Sequence, residues 1–547
     1  MKKILGAALG NCVHVGGLNS FLKIAESEGF KTISLGPAVS TTRIIDNIKI
    51  QRPDIVAISY RLTAEVAQKL FEELKTALQY NNLLSTKLVF GGTTPVCLEA
   101  EKSGIFEKVF SGKESIQEIK SYLRGSTIQA NQTIFADTLL ERIDQKYPYP
   151  LLRHHFGRPT VKETVEGSRQ IAESEVCDII SLGTDQNAQE YFFQPEKMDH
   201  TRDGAGGVPI RKPEDLEEIY SSSRCGNYPL LRCYSGTNDL LKWAEMSVET
   251  ISNAWGAIPL CWYCVIDGRS KRLISDAVKE NQSVMRWYAQ KNIPVEVNES
   301  HQWSLRDAHD SLAVTMAFLA AYNAKHVGVK TYVSQFMFNT PPGTSAQMDI
   351  AKMLAKKEMI EELEDPNFKV VREVRAGIAH FSSLPSIAQG QLAASAVISL
   401  SLKPHILHVV GYSEGDHMVY AEELINSCNI IHGVLQNCLN GLPQMEIDPV
   451  IVKRKDELKS EARILLDALT KLSADKNINP WTNYLLIEKA IKIGLLDAPH
   501  FNGNPNLYGK IITRLINGAC HAVDKDTGEP MYEEERIERI LRNKKDE

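Results

Sequence analysis

Lys3-Ile4-Leu5-Gly6-Ala7-Ala8-Leu9-Gly10-Asn11-Cys12-Val13-His14-Val15-Gly16-Gly17 opens as a run of apolar and small residues and ends in a polar loop that carries glycine. A run of this length bounded by glycine reads as a buried strand leading into a loop and a helix. The same rhythm repeats downstream. Short apolar runs at 31–35, 54–60, 87–90 and 108–110 alternate with helical patterns at 18–29, 41–51 and 63–79 and after each later run. Five βα units predict a doubly wound parallel sheet over residues 1–125, of flavodoxin-like type, with helices on both faces. Ligands of such sheets lie outside the carboxyl ends of the strands.

Those ends hold Cys12-Val13-His14-Val15-Gly16-Gly17, Ser59-Tyr60-Arg61 and Gly91-Gly92. A dinucleotide fingerprint would need G-x-G-x-x-G after the first strand, and Gly10-Asn11-Cys12-Val13-His14 does not supply it. A phosphate loop ending at Gly112-Lys113 would need a glycine where Glu107 stands. The three elements instead follow one another with gaps of 41 and 29 residues. In this spacing they resemble the cobalamin-binding module of adenosylcobalamin-dependent mutases and of methionine synthase. That family carries Asp-x-His-x-x-Gly, Ser-x-Leu and Gly-Gly in this order.

The resemblance implies that cobalamin is the cofactor, with His14 as lower cobalt ligand; a neutral imidazole nitrogen is a good donor to such a metal. It also implies that Ser59 bonds the cofactor's buried tail base and that Gly91 and Gly92 leave room for that tail. Gly16 and Gly17 let the macrocycle approach the backbone. Two residues depart from the family pattern. Cys12 stands in place of the aspartate that fixes the histidine ring, and a thiol is a weak acceptor. Arg61 stands in place of leucine and brings a cation toward the cofactor's amides or phosphate.

Beyond residue 125 the pattern changes. Residues 126–176 are polar, with Tyr147-Pro148-Tyr149-Pro150 as a stiff interruption, and read as a linker with helices. From 178 the α/β rhythm resumes, with candidate strands at 178–182, 229–234, 258–264, 295–299, 327–335, 370–376 and 407–412. Helices are predicted between them, one over 346–364 and one over 389–402. These units predict a (β/α)8 TIM-type barrel over 177–447, followed by a mostly helical extension over 448–547. Cys261-Trp262-Tyr263-Cys264 falls on a predicted strand, where residues three apart face opposite sides, so barrel packing is expected rather than a redox pair.

This region resembles the catalytic subunit of glutamate mutase. The stretches that carry the resemblance are 281–344, with Val295-Glu296-Val297-Asn298 and 313–328, and 483–535, with Gly494-Leu495-Leu496-Asp497-Ala498-Pro499 and Gly518-Ala519-Cys520. The resemblance implies a radical isomerase in which Arg202 and Arg232 match two of three carboxylate-binding arginine contexts. The third falls at Thr184-Asp185-Gln186, the general-base context at Asn253, and the ribose-lysine context near Gly411, with Glu414 close by. These departures argue for a small acid with one carboxylate rather than glutamate.

Strand ends of a barrel carry its chemistry. Glu299, His301 and Glu414 are therefore the candidate catalytic groups, and Gln335 and Arg375 join Arg202 and Arg232 as candidate substrate contacts. Asn298, Asn339, Asp416 and His417 stand at the same ends.

Alternatives left open are methyl transfer through methylcobalamin, an aminomutase needing pyridoxal phosphate, and a carrier or sensor of cobalamin without catalysis. A net charge of −6, from 62 basic against 68 acidic residues, speaks against nucleic acid. No apolar run is long enough to cross a bilayer. The first residues read as a strand rather than a signal peptide, and ten scattered cysteines read as reduced thiols. A cytoplasmic homodimer acting on a small carboxylate is the expectation.

Overall fold

The computed structural model describes all residues except 1, 113, 115, 126–134, 235, 439–440 and 544–547. They fall into two compact units, Met1–Ile134 and Phe135–Glu547. The first unit holds β1 (Lys3–Ala8), β2 (Lys31–Ser34), β3 (Ile55–Tyr60), β4 (Leu88–Gly92) and β5 (Lys108–Phe110), all parallel, in the order β2-β1-β3-β4-β5. This is the flavodoxin-like order, with its switch point between β1 and β3.

Alternation along the strands sorts side chains between two helical layers. Leu5, Ala7, Val56 and Ile58 pack on the face that holds Ile44 and Phe71. Ile4, Ile55 and Ala57 pack on the face that holds Phe21 and Leu22. At the end of β1 the chain turns through Gly10 at φ +65°, where a Cβ would lie 2.7 Å from Leu70 Cδ1. The positive φ favours glycine there, while the Leu70 side chain would have to shift for any other residue.

The second unit holds eight parallel strands. They are β6 (Leu151–Phe156), β7 (Ile179–Leu182), β8 (Leu230–Cys233), β9 (Gly256–Ile258), β10 (Val295–Val297), β11 (Thr331–Phe338), β12 (Lys369–Ala376) and β13 (Ile406–His408). Their order is β8-β7-β6-β13-β12-β11-β10-β9, so the first strand pairs with the last. The ladder stays open between β8 and β9, where Ala254 N–H donates to Leu231 O at 2.9 Å. The result is a near-barrel.

Several expectations are corrected here. The stretch 126–176 is not merely a linker, because it supplies β6 and the helix Val161–Ser174. Polar residues hid this strand: Leu151-Leu152-Arg153-His154-His155-Phe156 buries Arg153 and His154 completely. The strand expected over 258–264 ends at Ile258, because the carboxylate of Glu299 accepts the Leu260 and Cys261 N–H groups at 2.8 and 3.0 Å and turns the chain away. Cys261 and Cys264 therefore lie in a turn, with the Cys264 thiol donating to Cys261 O at 3.2 Å. The strand expected over 327–335 starts four residues later, after Gly328 at φ +96°. The last hundred residues, expected to be mostly helical, hold the helices Pro449–Thr470, Tyr484–Lys492 and Glu533–Asn543, with long irregular stretches between them and an antiparallel hairpin, β14 (Thr513–Ile516) with β15 (Ala519–Ala522). Among the described residues no helix is long and apolar enough to cross a membrane.

Barrel interiors are normally filled by layers of branched apolar side chains. Here Leu151, Ile179, Leu230, Val333, Val371 and Ile406 make one such layer with Trp255. The adjoining interior positions are charged. Arg232 Nη2 donates to Glu296 Oε2 at 2.6 Å, Arg153 donates to Glu373 Oε1, and Gln335 Nε2 bridges the two carboxylates at 3.1 and 3.2 Å. The Trp255 indole N–H donates to Glu296 at 2.7 Å. All four charged side chains are fully buried.

Burial pushes the Glu296 carboxyl up, but Arg232 and Arg153 more than offset this and hold it below the usual carboxylate range. Stability from this pairing is therefore complete above the ordinary Glu value of about 4.3 and is lost as pH falls through the lower folded value. Removing one partner of a buried pair strands the other charge. Glu296→Ala is expected to cost about 3–5 kcal/mol in urea unfolding at neutral pH, with Glu296→Gln costing less. A loss under about 1 kcal/mol would mean that water already solvates these arginines.

Candidate cofactor site and barrel mouth

In the first unit the three sequence elements meet at the ends of β1, β3 and β4. Ser59 pairs in register with Ala8 on one side and Gly91 on the other. His14 is exposed on the loop after β1, while Cys12 is fully buried at the loop's base. The Cys12 thiol lies 3.9 Å from His14 Nδ1. This contact stands where a carboxylate would orient the ring, and it leaves the far nitrogen, Nε2, free for a metal. Ala38 N–H donates to Cys12 O at 2.9 Å, and the Tyr60 hydroxyl donates to Asn11 Oδ1 at 3.3 Å, which fixes the loop to the sheet. Arg61 lies exposed just past β3.

The glycines separate by cause. A Cβ on Gly92 would lie 2.6 Å from Tyr60 O, so the fold itself requires glycine there. A Cβ on Gly91, Gly16 or Gly17 would meet nothing within 4 Å. Beside Gly91 the Ser59 hydroxyl is buried and has no hydrogen-bond partner among the described residues. An orphaned buried hydroxyl calls for a missing partner. Open space over Gly91, an unpaired Ser59 Oγ and an exposed imidazole backed by a thiol together fit cobalamin, with its tail between β1, β3 and β4 and His14 toward cobalt.

In the second unit the candidate residues divide. Arg375, His301 and Gln335 face the carboxyl ends of the barrel strands and are only 7, 8 and 9% exposed. Arg375 Nε donates to Ala376 O at 3.0 Å, and its terminal nitrogens have no partner among the described residues. Burial, with Arg375 next, pushes the His301 imidazole down to about 3, so it is neutral.

Glu414 accepts the Gly411 N–H at 2.9 Å and pairs with His154 Nε2 at 3.0 Å. Burial raises its pKa, and His154 more than offsets this, so it stays ionised. Other candidates are engaged elsewhere. Arg232 Nη2 pairs with Glu296 inside the barrel, while its Nε and Nη1 are buried with no partner among the described residues. Glu299 is fully buried, with its two oxygens holding Trp303 Nε1 and the Leu260 and Cys261 amides. Burial raises its pKa, and its bonds are structural rather than catalytic. Arg202 bonds Gln186 and lies 3.6 Å from Glu190 on an outer loop. Asp185 receives Arg211, Asn253 receives the Cys233 N–H, and Asn339 N–H donates to Asp349. His417 pairs with both Asp416 and Glu423 at the surface. Asn298 is buried with its Nδ2 unpaired.

The sequence reading missed His155, Tyr234 and His408. His155 Nε2 receives Arg153 Nη2 at 3.2 Å and the Tyr234 hydroxyl at 2.7 Å, with the rings stacked at 4.9 Å. Arginine only donates, so Nε2 is the acceptor and the ring proton sits on Nδ1. His155 and His408 pack edge to face at 4.6 Å, and burial with nearby guanidiniums pushes both well below the ordinary imidazole value. The signal available in the sequence was the Arg153-His154-His155 run ahead of Phe156, a polar segment framed by apolar residues.

Residues 2–119 match the family model of the B12 binding domain. Among solved structures, a novel cobalamin-binding protein from Desulfitobacterium hafniense DCB-2 is 27% identical over 22% of this chain, with a TM-score of 0.20. The match spans 58% of that protein's length. A phospho-2-dehydro-3-deoxyheptonate aldolase from Thermotoga maritima matches 54% of this chain and 71% of its own at 10% identity, with a TM-score of 0.34. The cobalamin-dependent S-adenosylmethionine radical enzyme OxsB, solved with aqua-cobalamin and S-adenosylmethionine bound, matches 85% of this chain and 56% of its own at 9% identity, with a TM-score of 0.22. No curated protein matches.

Gly91→Leu separates the cofactor role of this glycine from a folding role. It is expected to leave the melting temperature unchanged and to weaken cobalamin binding in equilibrium titration by more than about tenfold. Unchanged affinity would place the tail elsewhere. Over residues 2–119 the chain thus matches the B12 binding domain, and this match supports cobalamin as the ligand of this unit.

Proposed function

We propose that the chain is an adenosylcobalamin-dependent isomerase that carries out a 1,2-rearrangement on a small acid with a single carboxylate. The observation that supports this is Arg375, a guanidinium 7% exposed at the mouth of a near-barrel with no carboxylate partner among the described residues. A buried unpaired cation is costly, and an anionic substrate relieves that cost. A planar guanidinium also grips a carboxylate with two parallel hydrogen bonds. The other interior arginines, Arg153 and Arg232, are already neutralised by Glu373 and Glu296. One free arginine fits one carboxylate.

Adenosylcobalamin, when bound, would supply the radical chemistry. The chain's own residues bind, orient and keep water out. His14, through its imidazole, and Ser59, through its hydroxyl, would hold the cofactor. Arg375 fixes the substrate by its carboxylate, and His301, neutral beside it, offers one donor and one acceptor without adding charge. Glu414 stays locked to His154 and is a wall of the mouth rather than a base. Positioning of this kind, with water excluded, is what such chemistry asks of a protein.

The test is electron paramagnetic resonance of the protein loaded with adenosylcobalamin and mixed with short carboxylic acids. A cob(II)alamin–organic radical signal with at least one monocarboxylic acid, absent in Arg375→Met, is expected. No signal with any acid, together with demethylation of bound methylcobalamin by a methyl acceptor, would replace isomerisation with methyl transfer. Neither reaction would leave a carrier or sensor of cobalamin.

A further inference from the structure

Carboxylates at the barrel mouth and interior could receive a substrate's ammonium group only if they were free. Each is already matched by a cation or by N–H donors. Glu296 holds Arg232, Trp255 and Gln335, and Glu373 holds Arg153 and Gln335 through Oε1, so that its Oε2, unpaired among the described residues, belongs to a carboxylate whose charge Arg153 already offsets. Glu299 holds Trp303 and two backbone amides, and Glu414 holds His154 and Gly411 N–H. Asp185, past the end of β7, holds Arg211. An amino acid gripped by Arg375 would therefore bury its ammonium without a counter-charge, beside a cation, at a cost that outweighs its other contacts.

Uncharged hydrogen-bonding atoms are present instead. His301 is 8% exposed on the helix Ser300–Ser304 just past β10, and its ring's one polar contact among the described residues is the Gln302 amide at a long 3.5 Å. Gln335 keeps its Oε1 unpaired, as does Asn298 its Nδ2. A neutral imidazole presents one donor and one acceptor, which matches a hydroxyl or a carbonyl oxygen.

We infer that the substrate is a carboxylic acid whose second polar group is an uncharged oxygen, a hydroxy or oxo acid, read by His301 while Arg375 holds the carboxylate, and that the site rejects amino acids. This rests on Arg375 being the carboxylate anchor, as in the function proposed above. It does not rest on the isomerisation itself.

The experiment is isothermal titration calorimetry of the full chain with adenosylcobalamin bound, using butanoate, 2-hydroxybutanoate and 2-aminobutanoate at neutral pH. The hydroxy acid is expected to bind more than about tenfold tighter than the amino acid and tighter than the plain acid. In His301→Leu the plain acid is expected to keep its affinity while the preference for the hydroxy acid disappears; His301→Gln, which retains a donor and an acceptor, restores part of it. Arg375→Gln should abolish binding of both acids. Equal or tighter binding of 2-aminobutanoate overturns the inference, as does failure of all three to bind, and so does a hydroxy-acid preference untouched in His301→Leu. Selective hydroxy-acid binding without any radical signal would reject the isomerase reading and leave this one standing.

Discussion

Four fully buried charges inside the barrel, Arg153 with Glu373 and Arg232 with Glu296, constrain everything built above them. Such charges are tolerated when each is matched by an opposite charge, and Gln335, Trp255 and Ser181 add hydrogen bonds, although Arg232 Nε and Nη1 and Glu373 Oε2 keep no partner among the described residues. The pairing engages residues that would otherwise be read as substrate-binding. At the mouth, burial first and the nearby guanidiniums second push His155 and His408 down, and burial with Arg375 does the same for His301. What remains for a ligand is one free guanidinium and several uncharged hydrogen-bonding groups.

The N-terminal unit follows a different logic. Its sheet is apolar on both faces, and its chemistry is confined to the strand ends. There the backbone, more than side-chain charge, makes the site: Gly91 leaves space, Gly92 yields to Tyr60 O, and Ser59 is buried without a partner among the described residues. The Cys12–His14 contact at 3.9 Å is looser than a carboxylate–imidazole bond, so the ring is less firmly oriented than an aspartate would make it.

Much of this was legible in the sequence where pattern and burial agree. All five strands of the first unit fall where apolar runs place them, with Ser59 and Gly91 register partners on β3 and β4 and His14 on the loop after β1. Legibility failed where polar residues are buried. Leu151–Phe156 carries Arg153, His154 and His155 and so did not read as a strand, although it is the one that pairs with β13. Arg232 matched a substrate-binding context, yet its partner Glu296 is 64 residues away, and a cross-barrel pairing leaves no local trace. The hairpin of β14 and β15 turns at Asn517-Gly518, both with positive φ, which is a readable hairpin signal that a helical expectation for the region obscured. Arg375 and His301 were named from strand ends alone. That one is free and the other neutral follows only from the packed structure.

The ultraviolet-visible spectrum of the protein reconstituted with adenosylcobalamin, compared with that of His14→Ala, tests whether the N-terminal unit holds its cofactor as its geometry implies. The expected result is a spectrum of cobalamin with its own nucleotide base displaced and a protein imidazole bound, shifting in His14→Ala to the form without an axial nitrogen while Ser59 and Gly91 still retain the cofactor. Identical spectra in the two proteins would contradict it, and would mean that the Cys12-backed imidazole never reaches cobalt.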